Sequence, residues 1–117
     1  MSYPFNPGDD LIFQLESGFG LLRVLAVEGE GAGTVWHLLA YDDFFPDVEA
    51  AEAALAGAPL PVRKPHMALT NRAFERTPVA RLGNRPVTDD ELIAYNDWLN
   101  SDRPVSDRSA LLMLGVR

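Results

Sequence analysis

Three short runs of β-forming residues, joined by glycine-bearing turns, fill the first third of the chain and restrict its fold more than any other feature. In residues 11–16, Leu11, Phe13 and Leu15 alternate with Ile12, Gln14 and Glu16. A period of two places each set on its own face of a half-buried strand. Ser17-Gly18-Phe19-Gly20 then supplies a hairpin turn, since glycine takes positive φ without steric cost. Residues 21–28 set Leu22, Val24 and Ala26 against Leu21, Arg23, Leu25 and Val27. A second glycine-rich turn covers residues 29–33. Residues 34–41 follow as a third run, so continuously apolar that both of its faces are expected to be covered. Consecutive strands with such short links form an antiparallel meander. Leu11, Phe13, Leu22, Val24, Trp36 or Val35, and Leu39 are expected to share one core.

Two helices and two shorter strands are predicted beyond the meander. Pro46 suits a first helical turn, and Asp47, Glu49 and Glu52 place negative charge near its positive end. Val48, Ala51 and Leu55 make a narrow apolar stripe, and Gly57 with Pro59 ends the helix. Residues 66–70 and 77–82 read as strands, with Pro78 confining the second to an edge or a strand start. Gly83-Asn84 reads as a turn. Thr88-Asp-Asp-Glu91 is a capping box, in which Thr88 bonds the N3 amide while Glu91 reaches back to the cap. It predicts a helix running to about Asn100, with Leu92, Tyr95, Trp98 and Leu99 on one face. The apolar tail at 110–114 is too short to assign to strand or helix.

At 117 residues, one domain spanning 1–117 is expected. There is no cysteine, which excludes disulfides, thiolate metal sites and cysteine nucleophiles. No run approaches the roughly 20 apolar residues of a membrane span, and the N-terminus lacks the pattern of a signal peptide. The expectation is a cytoplasmic protein without a membrane partner. Charge is unevenly distributed. Residues 1–60 carry ten acids against a single base, Arg23, whereas residues 61–117 carry nine bases against seven acids. The acidic first half argues against nucleic-acid binding, which needs cations to neutralise phosphates. It favours a protein partner with a basic surface.

Motifs for catalysis are sparse. The two histidines, His37 and His66, fall within strand-like runs and form no HxH, HxxxH or HExxH spacing, so no metal and no cofactor are expected. The glycine loop at 29–33 lacks the Lys-Ser/Thr of a phosphate loop. Ser17 lies outside any GxSxG elbow, which leaves a Ser17, His37 and Asp42 triad unsupported. No catalytic residue is assigned. The most unusual local composition is Tyr41-Asp42-Asp43-Phe44-Phe45. Asp42, Asp43, Phe44 and Phe45 are the candidate partner-binding residues, because aromatics anchor interfaces and acids pair with Arg or Lys. The alternative is that both rings plug the open end of the sheet while the acids face water.

Gly8-Asp9-Asp10-Leu-Ile-Phe13, followed by Gly20-Leu-Leu-Arg-Val-Leu25, resembles the opening of the immunity protein 26 family of bacterial polymorphic toxin systems. The run Ala40-Tyr-Asp-Asp-Phe-Phe45 is similar to that family's third strand, and residues 78–87 resemble its later glycine- and proline-bearing stretch without the tryptophan. A Gly-Asp pair before the first strand also resembles the start of SH3-like barrels. The resemblance implies a non-enzymatic immunity protein that neutralises a toxin. Combined with the residue patterns, the expected fold class is α+β: an antiparallel meander forming a bent sheet or half-open SH3-like barrel, with two helices. A small-molecule-binding or hydrolytic domain using a pocket on the concave sheet face is the competing functional expectation. A homo-oligomer with Phe44 and Phe45 at its interface is a third.

Overall fold

A computed structural model describes residues 5–116. The chain is α+β, with one bent, open antiparallel sheet of five strands in the order β4-β3-β2-β1-β5. Strands β1 (Asp9–Leu15), β2 (Gly18–Glu28) and β3 (Val35–Tyr41) are the predicted meander. In the first hairpin Leu11 opposes Leu22 and Phe13 opposes Gly20. A Cβ on Gly20 would lie 2.4 Å from the tip of the Phe13 ring, so the glycine makes room for that side chain. Register shifts interrupt the β1–β5, β2–β3 and β3–β4 ladders, and such bulges bend a sheet.

Helix α1 (Val48–Ala56) follows the meander. Its cap is Asp47, whose carboxylate accepts from the Ala50 N–H at 2.7 Å, so Pro46 precedes the helix instead of occupying its first turn. Strand β4 (Val62–Thr70) begins four residues before the predicted start and runs through Pro65. As an edge strand it tolerates a missing N–H. Strand β5 (Val79–Asn84) is the opposite edge and includes the Gly83-Asn84 pair expected to turn.

Four helices are described where two were expected. The additions are α2 (Asn71–Glu75), capped by Thr70, and α4 (Ala110–Leu114), capped by Ser109. Gly115, at φ 68°, ends α4 in the left-handed conformation glycine favours. The predicted capping box forms: Glu91 N–H donates to Thr88 Oγ1 at 3.2 Å and Thr88 N–H to Glu91 Oε1 at 3.0 Å. It closes a tight turn, however, and the regular helix α3 (Ile93–Leu99) begins only after it.

The sheet is buried on both faces, which corrects the expectation of one meander core. Leu11, Phe13, Leu22, Val24 and Trp36 pack on one face with Met67, Leu69 and residues of α2 and α4. Leu39 lies on the other face, with Ile12, Leu21, Leu25, Tyr41 and Ala51 of α1. Alternation within each strand makes this split unavoidable once helices cover both sides.

Candidate functional site

Where β3 ends, the chain turns outward. Asp42 stays tied to the sheet edge, its N–H donating to Pro61 O at 2.9 Å, while the Asp42 and Asp43 side chains are exposed. The two candidate rings part company at this point. Phe44 is 43% exposed. Phe45 is half-buried, exchanges two 2.8 Å backbone hydrogen bonds with Phe19, and packs against the second core. Arg63 of β4 reaches the same corner, with its guanidinium 5.8 Å from the Phe44 ring centre and 3.6 Å from the Asp42 carboxylate. Asp42 and Phe44 can therefore hold a cation between a carboxylate and an aromatic face.

The acidic surface extends past this corner. Glu16, Asp43, Asp47, Glu49 and Glu52 are exposed, as is Val48 on the first turn of α1. Phe19 pairs with Phe45, which places the first hairpin, with Glu16 beside its turn, next to the start of α1. Exposed carboxylates thus accompany two exposed apolar side chains, Phe44 and Val48, along the acidic crescent of residues 42–52.

A second constellation lies on the face of β3 and β4 that α3 covers. The strands bring together two histidines 29 residues apart in sequence, with His37 Nδ1 2.9 Å from His66 Nε2. His37 is fully buried, and its Nε2 lies 2.5 Å from Glu28 Oε1. With Glu28 ionised, His37 donates through Nε2 and accepts at Nδ1. His66 then donates through Nε2 and keeps the lone pair on its own Nδ1. Tyr95 and Trp98 of α3 close over the pair, each with its ring centre 4.6 Å from that of His37. Burial pushes both imidazoles below the ordinary 6.5. Glu28 partly offsets this at His37, whereas neighbouring His37 lowers His66 further, to about 4. Both rings are thus neutral near pH 7. His66 also borders a groove of about 260 Å³ with Trp98, Val105, Ser106 and Met113. His66 Nε2 is engaged by His37.

Arg23 is the third unusual group, 1% exposed in the middle of the sheet. Its Nε donates to Glu91 at 2.5 Å, Nη1 to Gly8 O at 2.9 Å and Asp10 at 3.3 Å, and Nη2 to the Arg85 and Pro86 carbonyls at 3.0 Å each. Asp10 also takes two bonds from Arg85, at 2.8 and 2.9 Å. This network moors residues 85–91, and through them α3, to the sheet. Its role is scaffolding for the face that holds the histidines.

Of the four residues singled out from sequence, Asp42, Asp43 and Phe44 are exposed and Phe45 is half-buried, whereas the histidine pair and the Arg23 network were missed. Arg23 did carry a signal, being the only base in the first 60 residues and set within an apolar strand. The histidines carried none until the β3–β4 register, which sets His37 opposite Ala68, was known. Among the described residues no cluster of three His, Asp or Glu could hold a metal ion, and no helix is long and apolar enough to cross a membrane. No protein-family model, curated protein or solved structure matches the chain.

Proposed function

We propose that this chain is a non-enzymatic protein-binding domain whose partner presents a basic surface. The observation that carries this reading is the exposure of Glu16, Asp42, Asp43, Asp47, Glu49 and Glu52 together with Phe44 and Val48. Long-range attraction from the acids accelerates encounter, and the exposed ring supplies an apolar anchor. Arg63 of this chain already lies 3.6 Å from the Asp42 carboxylate and 5.8 Å from the Phe44 ring centre, which supports a reading in which the corner receives cations. A partner arginine or lysine would take the same place. The resemblance to immunity protein 26 fits this reading and suggests a toxin as the partner.

The test begins with affinity capture using the wild-type chain and Asp42→Asn/Asp43→Asn in parallel. A basic protein retained by the wild type and lost by the variant is the expected outcome. Its association rate should fall as salt rises, since screening shortens the reach of the acids to about 8 Å at physiological ionic strength. The double variant should associate more slowly at unchanged melting temperature, because exposed acids contribute little to stability. Phe44→Ala should speed dissociation. A partner that binds the double variant at the wild-type rate would overturn the proposal.

A further inference from the structure

A furrow between β4 and α3 adjoins the crescent along β4, since Val62 on its wall pairs with Tyr41 and Arg63 beside it reaches Asp42. Its floor is apolar, formed by Leu39, Val62, Pro65, Ile93 and Ala94, and it encloses about 490 Å³. Ile93 is 57% exposed and Val62 45% exposed, and both line this groove, so the apolar surface they offer is shared. A second stretch of about 430 Å³ shares Leu39 and Val62 and continues past Leu55 and Leu60 beside α1. The second stretch is the more polar of the two, bordered by Arg85, Thr88, Asp90 and Glu91 as well as by apolar side chains. Both volumes fall in the range of about 300–1,000 Å³ typical of pockets that bind ligands.

The rim states what kind of occupant fits. Asp90, Glu91 and Asp97 border the floor. Glu91 is neutralised by Arg23, but Asp90 and Asp97 are exposed and have no ion-pair partner among the described residues. Arg85, which borders the second stretch, is held by Asp10. An apolar side chain seated on Ile93 and Val62 would therefore have two unneutralised carboxylates beside it. Cationic neighbours complete that arrangement, and acidic neighbours are repelled. A second copy of a chain with formal charge −7 would bring acid against acid.

The geometry points to this furrow as the docking groove for a basic amphipathic segment of a partner protein, with an aliphatic anchor on Ile93 and Val62 and flanking Lys or Arg against Asp90 and Asp97. The inference rests on the reading of the chain as a binder of basic proteins, and it extends the contact region from the crescent across β4 to α3.

Amide chemical-shift titration of the full chain tests it, with three synthetic peptides as probes: an amphipathic Leu/Lys 14-mer, a Ser/Lys peptide of equal charge, and a Leu/Glu peptide. The Leu/Lys peptide should shift the amides of residues 62–66 and 90–97. Ile93→Lys should weaken it at least tenfold, equivalent to about 1.4 kcal/mol. Asp90→Asn with Asp97→Asn should reduce its affinity and flatten its salt dependence. Ile93 and both acids are exposed, so unchanged melting temperatures verify that these variants still fold. The Ser/Lys peptide should shift only the crescent, at residues 42–52, and the Leu/Glu peptide should shift neither region. Leu/Lys shifts confined to the crescent would refute the furrow and leave the crescent standing. Equal binding of Leu/Glu and Leu/Lys peptides in the furrow would overturn the basic partner. Self-association in light scattering that Ile93→Lys abolishes would assign the furrow to a second copy and likewise overturn the inference.

Discussion

Replacing Arg23 with methionine keeps an extended side chain of similar reach but removes the charge and all five N–H donors. In general, removing one partner of a buried ion pair costs about 3–5 kcal/mol, because the other is left without compensation. Three features of the network favour the lower end of that range. Asp10 keeps both bonds from Arg85, Gly8 O keeps the Arg85 N–H at 3.0 Å, and the Glu91 side chain is 21% exposed, so water can reach it. The carbonyls of Arg85 and Pro86 lose the guanidinium, as does Glu91. We expect Arg23→Met to cost about 3 kcal/mol, a large part of the roughly 5–15 kcal/mol that holds an ordinary domain together. Arg23→Lys should fall between the variant and the wild type, since an ammonium keeps the charge but has only three donors for five groups. Urea denaturation gives the loss from the shift in midpoint at unchanged slope. Hydrogen exchange locates it: amides at 85–99 should lose protection before those of the meander, because Arg23 ties that segment to the sheet. A loss below about 1 kcal/mol would refute the reasoning. So would wild-type exchange at 85–99.

Other outcomes follow from the same contacts. Thr88→Ala removes the hydroxyl that accepts the Glu91 N–H and should lower stability by roughly 0.5–2 kcal/mol in urea denaturation. Phe13→Ala, at a side chain 2% exposed, should cost about 3–5 kcal/mol, while Gly20→Ala should cost about 1–3 kcal/mol by driving a methyl into the Phe13 ring. On acidification the histidine pair should weaken the fold. The unfolded chain binds protons below its ordinary 6.5, whereas folded His66 resists until about 4, so stability is full above 6.5 and falls as pH drops through that window. Melting temperatures at pH 7.5 and 5 should show the decline, and His66→Gln should flatten it; a wild-type melting point unchanged between the two would remove the histidines from the stability account.

Some of this architecture is legible without coordinates because its causes are local. Period-two runs specify the meander: the faces of Leu11/Phe13 and Leu22/Val24 follow from alternation alone. The Thr88–Glu91 box formed as written, since both of its hydrogen bonds span three residues. The near-continuous apolarity of residues 34–41 implied a strand at least partly covered on both faces, and β3 is buried on both. What the local pattern could not settle was which element covers which face. That separated Leu39 from Phe13, left Phe44 outside while drawing Phe45 inward, and carried β4 through Pro65 as an edge strand. Register across strands brought His37 to His66, and long-range closure brought Arg23 to Glu91, 68 residues away. Periodicity records the burial of a residue relative to its neighbours in sequence. Its partner across the sheet is chosen by packing and hydrogen-bond satisfaction summed over the whole chain, and those exist only once the chain has closed.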